Sequence, residues 1–291
     1  MSRIAAAFGV AIGLLLTHAV AASAATIDVF PGPGAISTAV QAASSGDKIV
    51  VHAGTYHEAV AVDKPLTIVG DRSGKRPVVD GDCAARVTIL AEVGGVSLRW
   101  LKVKGADASA GGYPSAVDFT SVPSGSVREL KLVNTCNAEY GVNVFNTGPF
   151  TIRDNEAVGF SDGGIYIGGV TDTGSGKILA EDNYSHGNNR GLIVEDSGGL
   201  ADIVVKDNVL DDNRVVNEFN RSGIQVTNSN GVLIEGNVAR RNAKYGIWLD
   251  DKSHDNHLFD NRFAHNSFHN VLDEGTHNCG TGNKPDVFNC H

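Results

Sequence analysis

Apolar residues in this chain alternate with others over short stretches, and each stretch opens on a glycine. The unit recurs at Gly141-Val-Asn-Val, Gly164-Ile-Tyr-Ile, Gly191-Leu-Ile-Val, Gly223-Ile-Gln-Val and Gly246-Ile-Trp-Leu, with Asn270-Val-Leu as a degenerate last copy, at intervals of 23, 27, 32, 23 and 24 residues. A second repeat, an apolar pair followed by an asparagine, runs between them at Asn155, Asn183, Asn208, Asn237 and Asn261. Alternation with period two predicts strands. Strands this short, bounded by Gly, Asn and Asp with no helical stretch between, cannot each bury an apolar face alone, but stacked as coils of a solenoid they can. The expected fold is therefore all-β: a parallel β-helix with three short strands per turn and successive rungs about 4.8 Å apart. Near the N-terminus the period changes. "AISTAVQAAS" sets Ile36, Val40 and Ala43 at helical spacing, which predicts a short helix over 35–45 capping the open end of the solenoid.

The asparagines invite a chemical reading, but asparagine tolerates left-handed corners and its amide can bond from rung to rung, so they are expected to be structural.

The first 24 residues carry a basic start at Arg3, an apolar stretch and small residues at Ala22-Ser23-Ala24, the pattern of a secretory signal peptide. No later apolar run approaches a membrane-spanning length. The expectation is an exported monomer, secreted or periplasmic, whose residues 25–291 form one β-helix domain. The net charge of -9 comes from a dispersed mixture without a basic patch, which argues against a nucleic-acid partner. Four cysteines in an oxidising compartment, without a C-x-x-C pair, read as two disulfides. Cys279 and Cys290 would close a C-terminal loop over 279–290, leaving Cys83 with Cys136 by elimination.

"GDKIVVHAGTYHEAVAVDKPLTIVG", residues 46–70, followed by the Gly-apolar and Asp-Asn repeats, resembles the right-handed parallel β-helix repeat proteins of the pectin-lyase-like superfamily. The resemblance covers nearly all of residues 25–291 and implies a single-stranded right-handed coil. It leaves activity open, since the superfamily spans pectate lyases, polygalacturonases, alginate epimerases, a periplasmic copper-site maturation protein, adhesins and tailspikes. The Asn-Thr-Asp, Gly-His-Gly and Arg-Ile-Lys motifs of polygalacturonases and the Asp-Pro-His-Glu stretch of alginate epimerases are absent, so no catalytic set transfers. A copper(I) site would need thiolate or thioether ligands, and the one methionine is Met1. Gly54-Thr55-Tyr56-His57-Glu58 is shared with related sequences and is expected to form a turn. The C-terminal histidines, His254 and His277 among them, are expected to be solvated turn residues.

Aligning the rungs on their glycines gives an outward column of Asn143, Tyr166, Ile193, Gln225 and Trp248. Two positions on come Phe145, Gly168, Glu195, Thr227 and Asp250, then Asn146, Gly169, Asp196, Asn228 and Asp251. Arg190, Arg221 and Lys244 precede three successive strands, so one border of the sheet is expected to be acidic and the other basic. Extra chain in "VTDTGSG" and "LDDNRVVNEFNRS" is expected to wall a groove across the 191 rung. An outward tryptophan beside carboxylates and amides suits the apolar face of a sugar. The binding candidates are Tyr166, Arg190, Gln225 and Trp248.

Two functions fit. An enzyme acting on an acidic polysaccharide would use Glu195, Asp250 and Asp251 with Arg221 or Lys244 as base, and calcium on carboxylates including Asp196 and Asp251. Hydrolysis would instead pair Glu195 with Asp250, two rungs and about 9.6 Å apart. The alternative is a non-catalytic protein that binds a glycan or another cell-envelope partner through the same face.

Overall fold

Each turn of the chain lays down three short strands, and each strand pairs in parallel with its equivalent one turn later. The computed structural model describes residues 23–214, 221–286 and 288. Among these, the first sheet has 11 strands, from Thr26–Val29 to Cys279–Thr281. The second has 9, from Thr55–His57 to Arg262–Ala264, and the third has 9, from Val60–Val62 to His269–Asp273. This is the expected all-β solenoid.

Register explains the repeats. In the third sheet Val142, Ile165, Leu192, Ile224 and Ile247 pair in sequence, and all are fully buried. They form one inward stack. The glycines just before them are required by crowding: a Cβ at Gly141 would stand 2.4 Å from the carbonyl oxygen of Gly164, and one at Gly191 2.5 Å from that of Gly223. No side chain fits where the next rung comes that close.

The asparagines form the expected ladder, and it continues to Asn283. Nδ2 of Asn155, Asn183, Asn208, Asn237 and Asn261 donates to Oδ1 of the next member at 2.9–3.0 Å. The same amide groups donate to backbone carbonyls such as those of Ile152 and Ala180, and their oxygens accept backbone N–H groups. Buried amides so paired stabilise the coil; one left unpaired would cost about 1–3 kcal/mol. A second ladder, Asn188, Asn213, Asn242 and Asn266, runs up another corner. At the first corner Asp154, Asp182, Asp207 and Asp260 precede ladder members with φ of 51–56°, so the tight bend is made by a residue type that tolerates the left-handed region.

The N-terminal helix spans Ala35–Ala42, shorter than the expected 35–45 because Ala43 is already extended and Ser44 N–H donates to Asp47 at 2.8 Å. It buries Ile36, Ala39 and Val40. Glu58 accepts the N–H groups of Ile36 and Ser37, both at 2.9 Å, satisfying donors that the helix start leaves unpaired. The Gly54–Glu58 stretch thus includes a strand, Thr55–His57, as well as the expected turn. Tyr56 is fully buried, with its hydroxyl 2.8 Å from the carbonyl oxygens of Val29 and His52.

Cys83 and Cys136 form the disulfide reached by elimination, joining residues 53 apart. Cys279 is also disulfide-bonded. Its expected partner Cys290 lies outside the described residues, as does nearly all of the expected signal peptide. Among the described residues, no helix is long and apolar enough to cross a membrane.

Replacing Asn208 by Ala should destabilise the protein by about 2 kcal/mol, because it unpairs buried groups on both neighbouring rungs, whereas Lys75→Ala at an exposed turn should change little. Urea unfolding of the variants measures this.

A pH effect is expected at the first rungs. His52 sits 2.9 Å from both Asp28 and Asp71. Hydrogen bonding to Asp28, then to Asp71, raises its pKa above the ordinary 6.5, while hydrogen bonds from Ser73, helped by His52, lower that of Asp71 below 3.8. The histidine's contribution is full below 6.5 and lost as pH rises through its raised value; that of Asp71 is present above 3.8 and lost as pH falls through its lowered value. The N-terminal rungs should therefore be firmest in mildly acidic solution. NMR titration of the His52 ring should place its midpoint above 6.5, and Asp28→Asn should bring it down.

Candidate functional site

The outer face of the third sheet carries Asp118, Asn143, Tyr166, Ile193, Gln225 and Trp248 in one column. Trp248 points outward and is half-buried, and its Nε1 donates to Glu274 at 2.8 Å. Beside it runs the second outward column, Thr120, Phe145, Gly168, Glu195 and Thr227, in the register expected from sequence.

A groove of about 480 Å³ follows these columns. It is lined by Arg190, Glu195, Asp196, Gln225, Trp248 and Asp250, all expected, and by Asp162, Thr227, Asn228 and Lys252. Through Glu195 and Asp196 it continues into a more enclosed pocket of about 420 Å³ that includes Tyr113, Tyr140, Phe145 and Tyr166. Arg221, Lys244 and Asp251 are not among the described residues lining either space.

The two cations were misaligned by one position. Leu192 pairs with Ile224 and Ser222 with Tyr245, which sets Arg190 level with Ser222 but Arg221 level with Lys244. The column immediately before the repeat glycines is Tyr140, Gly163, Arg190, Ser222 and Tyr245; read consistently, it would have found Tyr140. The column one step earlier holds Glu139 and Asp162 as well as Arg221 and Lys244, so that border is mixed in charge rather than basic. Lys244 Nζ lies 5.0 Å from the centre of the Tyr245 ring.

The expected walls also differ. Val170, Thr171 and Asp172 of the first extra loop line a separate cleft with Ser121 and Asn146. Residues 215–220 of the second lie outside the described residues. A third loop, 107–114, was overlooked although "SAGGYP" marks it by composition, and it brings Tyr113 to the site.

Tyr166 is 9% exposed and packs with Tyr140 and Ile193 as a floor rather than as an open platform. Its hydroxyl donates to Glu195 at 2.8 Å. Gly168 makes that reach possible, since a Cβ there would stand 2.4 Å from the Tyr166 hydroxyl oxygen. Burial, followed by the neighbouring Glu195 carboxylate, pushes the Tyr166 pKa well up, so the residue is a phenol donor and not a base. Burial likewise raises Tyr140. Arg190 is buried beside Asp162, and desolvation lowers its pKa while Tyr140, Glu195 and Glu139 oppose that shift.

The carboxylates already accept hydrogen bonds. One oxygen of Asp250 takes Asn228 N–H, Ser253 O–H and Lys252 N–H at 3.0, 2.7 and 3.3 Å, which holds the turn after the Trp248 strand. Asp196 accepts from the Asn228 amide at 2.7 Å. The groups expected to hold calcium do not converge: among the described residues, the grouping of three metal-competent ligands is His57, Asp80 and Asp82, in the early rungs, where Asp80 is already paired with Lys104.

The coil and its groove define the class: a right-handed parallel β-helix protein. Residues 115–289 match the family described as "NosD: Periplasmic copper-binding protein (NosD)", and the chain belongs to that family. In fold it is similar to pectate lyase Pel9A, with a TM-score of 0.63 at 14% identity over 91% of this chain and 81% of that one. It also matches a double mutant of the periplasmic alginate epimerase AlgG (TM-score 0.49, 16% identity, 81% of this chain and 65% of that one). A third match is the A-module of the Azotobacter vinelandii mannuronan C-5 epimerase AlgE4 (0.46, 14%, 78% and 71%). No curated protein matches the chain significantly by sequence.

The family description implies copper, and the donor set here does not fit copper(I). The sequence's one methionine is Met1, and every described cysteine is disulfide-bonded.

Gly168→Ala should displace the Tyr166 ring and break its bond to Glu195 while leaving the inward stack intact. A crystal structure of the variant should show Tyr166 rotated, with the melting temperature close to that of the parent.

Proposed function

We propose that this chain is an exported, monomeric glycan-binding protein whose ligand lies across the rungs of the third sheet. Export is supported by the leader pattern, the disulfides and a family described as periplasmic. In this reading the N-terminal helix caps the coil. The observation that carries the proposal is the placement of half-buried Trp248 in one groove with Gln225, Arg190 and Glu195, residues drawn from three successive rungs. A flat ring beside amide, guanidinium and carboxylate groups matches a sugar's apolar face and hydroxyl rim.

Binding is favoured over processing because Asp250 and Glu195 are engaged in hydrogen bonds that build the face, and Arg221 and Lys244 lie away from the described lining. One observation favours a lyase reading: desolvation lowers the pKa of Arg190, the direction a proton acceptor needs. Its pairing with Asp162 opposes that role.

Incubation of the protein with pectate, alginate, neutral glycans and amino-sugar glycans, with and without a chelator, should give retention of at least one glycan and no unsaturated or shortened product. Trp248→Ala should weaken retention about tenfold on a folded protein. Product formation would replace binding by catalysis, and unchanged retention would remove the groove assignment.

A further inference from the structure

The enclosed end of the groove has a chemical character of its own. Tyr140 and Tyr166 lie with ring centroids 4.7 Å apart, Tyr113 stands 6.4 Å from Tyr140, and Phe145 flanks the same space. Tyr113 is 65% exposed and Phe145 39%, so both keep ring surface uncovered by protein. The remaining wall is Glu195 and Asp196, with neutral Thr120 and Asn143, and no cationic side chain lines the pocket among the described residues.

Charge around it is negative. Arg190 is paired with Asp162, and Arg86 reaches Asp118 at 3.5 Å, but no described ion pair engages Glu195 or Asp196. Lys252 lines the wider groove beside Trp248, not this pocket. A separate observation concerns Gln225, in the adjoining groove that shares Glu195 and Asp196. It is 3% exposed, and its Oε1 is a buried acceptor without a partner. Arg190 Nε, in the same groove, is a buried donor without a partner, so a ligand there must both donate and accept, as the ammonium and hydroxyl groups of an amino sugar do.

We propose that this aromatic and acidic pocket receives a cationic ammonium group, so that the glycan bound in the groove carries free amino sugars and not uronates. Ring faces attract a cation through their quadrupole, the effect used by aromatic cages, and the two carboxylates supply opposite charge where water is partly excluded. A uronate would place like charge beside Glu195 and Asp196. An N-acetylated sugar would keep a hydrogen-bond donor but lose the charge. The inference rests on the groove being a glycan site and names the substrate class for it.

The test uses the whole mature chain and isothermal titration calorimetry with three probes: glucosamine oligomers with free amines, the same oligomers N-acetylated, and oligogalacturonate. The free-amine oligomers should bind at least about tenfold more tightly than either other probe. Tyr113→Ala, at an exposed loop position, and Glu195→Gln should each reduce that preference while circular dichroism shows the fold retained. If the N-acetylated oligomer or the uronate binds as well or better, and Trp248→Ala weakens it, the ammonium pocket is wrong and the groove reading stands. If none of the probes binds, the ammonium proposal falls. If the free-amine preference survives both pocket variants, the cation lies elsewhere and the proposal is overturned.

Discussion

The structure depends on the close approach of consecutive rungs and on the buried amides that hold them in register. Parallel pairing alone tolerates slippage, since backbone groups repeat along every strand. The asparagine ladders remove that freedom: each amide satisfies a carbonyl on one rung and an amide oxygen on the next, so a slip would strand several buried polar groups at once. Glycine does the complementary work at the openings of the third-sheet strands that carry Gly141, Gly164, Gly191, Gly223 and Gly246, where the neighbouring rung leaves no room for a Cβ.

The site is a consequence of that register. Tyr166, Arg190, Gln225 and Trp248 are far apart along the chain, yet they meet because equivalent positions of successive turns become neighbours. The same stacking limits the chemistry. Asp250 holds a corner, Glu195 anchors Tyr166 and Arg190 is matched by Asp162, so the polar groups support a shaped face before any ligand arrives. The family description names copper, but the described cysteines are in disulfides. Membership in a family fixes the coil more firmly than it fixes the cargo.

Much of the fold was legible because solenoid order is written locally. The Gly-apolar and Asn repeats each mark one corner, and counting between them recovers the outward column that contains Trp248. The second ladder, Asn188 to Asn266, was legible by the same rule, since the apolar pairs Val209-Leu210, Val238-Ala239 and Phe263-Ala264 precede Asn213, Asn242 and Asn266 as such pairs precede the first ladder. Within the site, counting failed at Arg221 and Lys244, which stand two residues before their glycines while Arg190 stands one before. Strict alternation does not predict this, because Arg190 shares the parity of the inward Leu192 and still lines the groove, whereas Arg221 and Lys244 do not. The burial of Tyr166 could not be read from alternation either. It follows from Gly168 and Ile193 on adjacent positions, a three-body packing effect.

Hydrogen–deuterium exchange measured with and without a bound free-amine oligosaccharide tests the central claim most directly, since it reports which backbone segments share one ligand-covered surface. Protection should rise together in the strands Ser115–Thr120, Tyr140–Phe145, Gly163–Gly168, Arg190–Glu195, Ser222–Thr227 and Tyr245–Leu249, and nowhere in the first sheet. Protection confined to the first or second sheet, or to one rung alone, would contradict a site built by stacking.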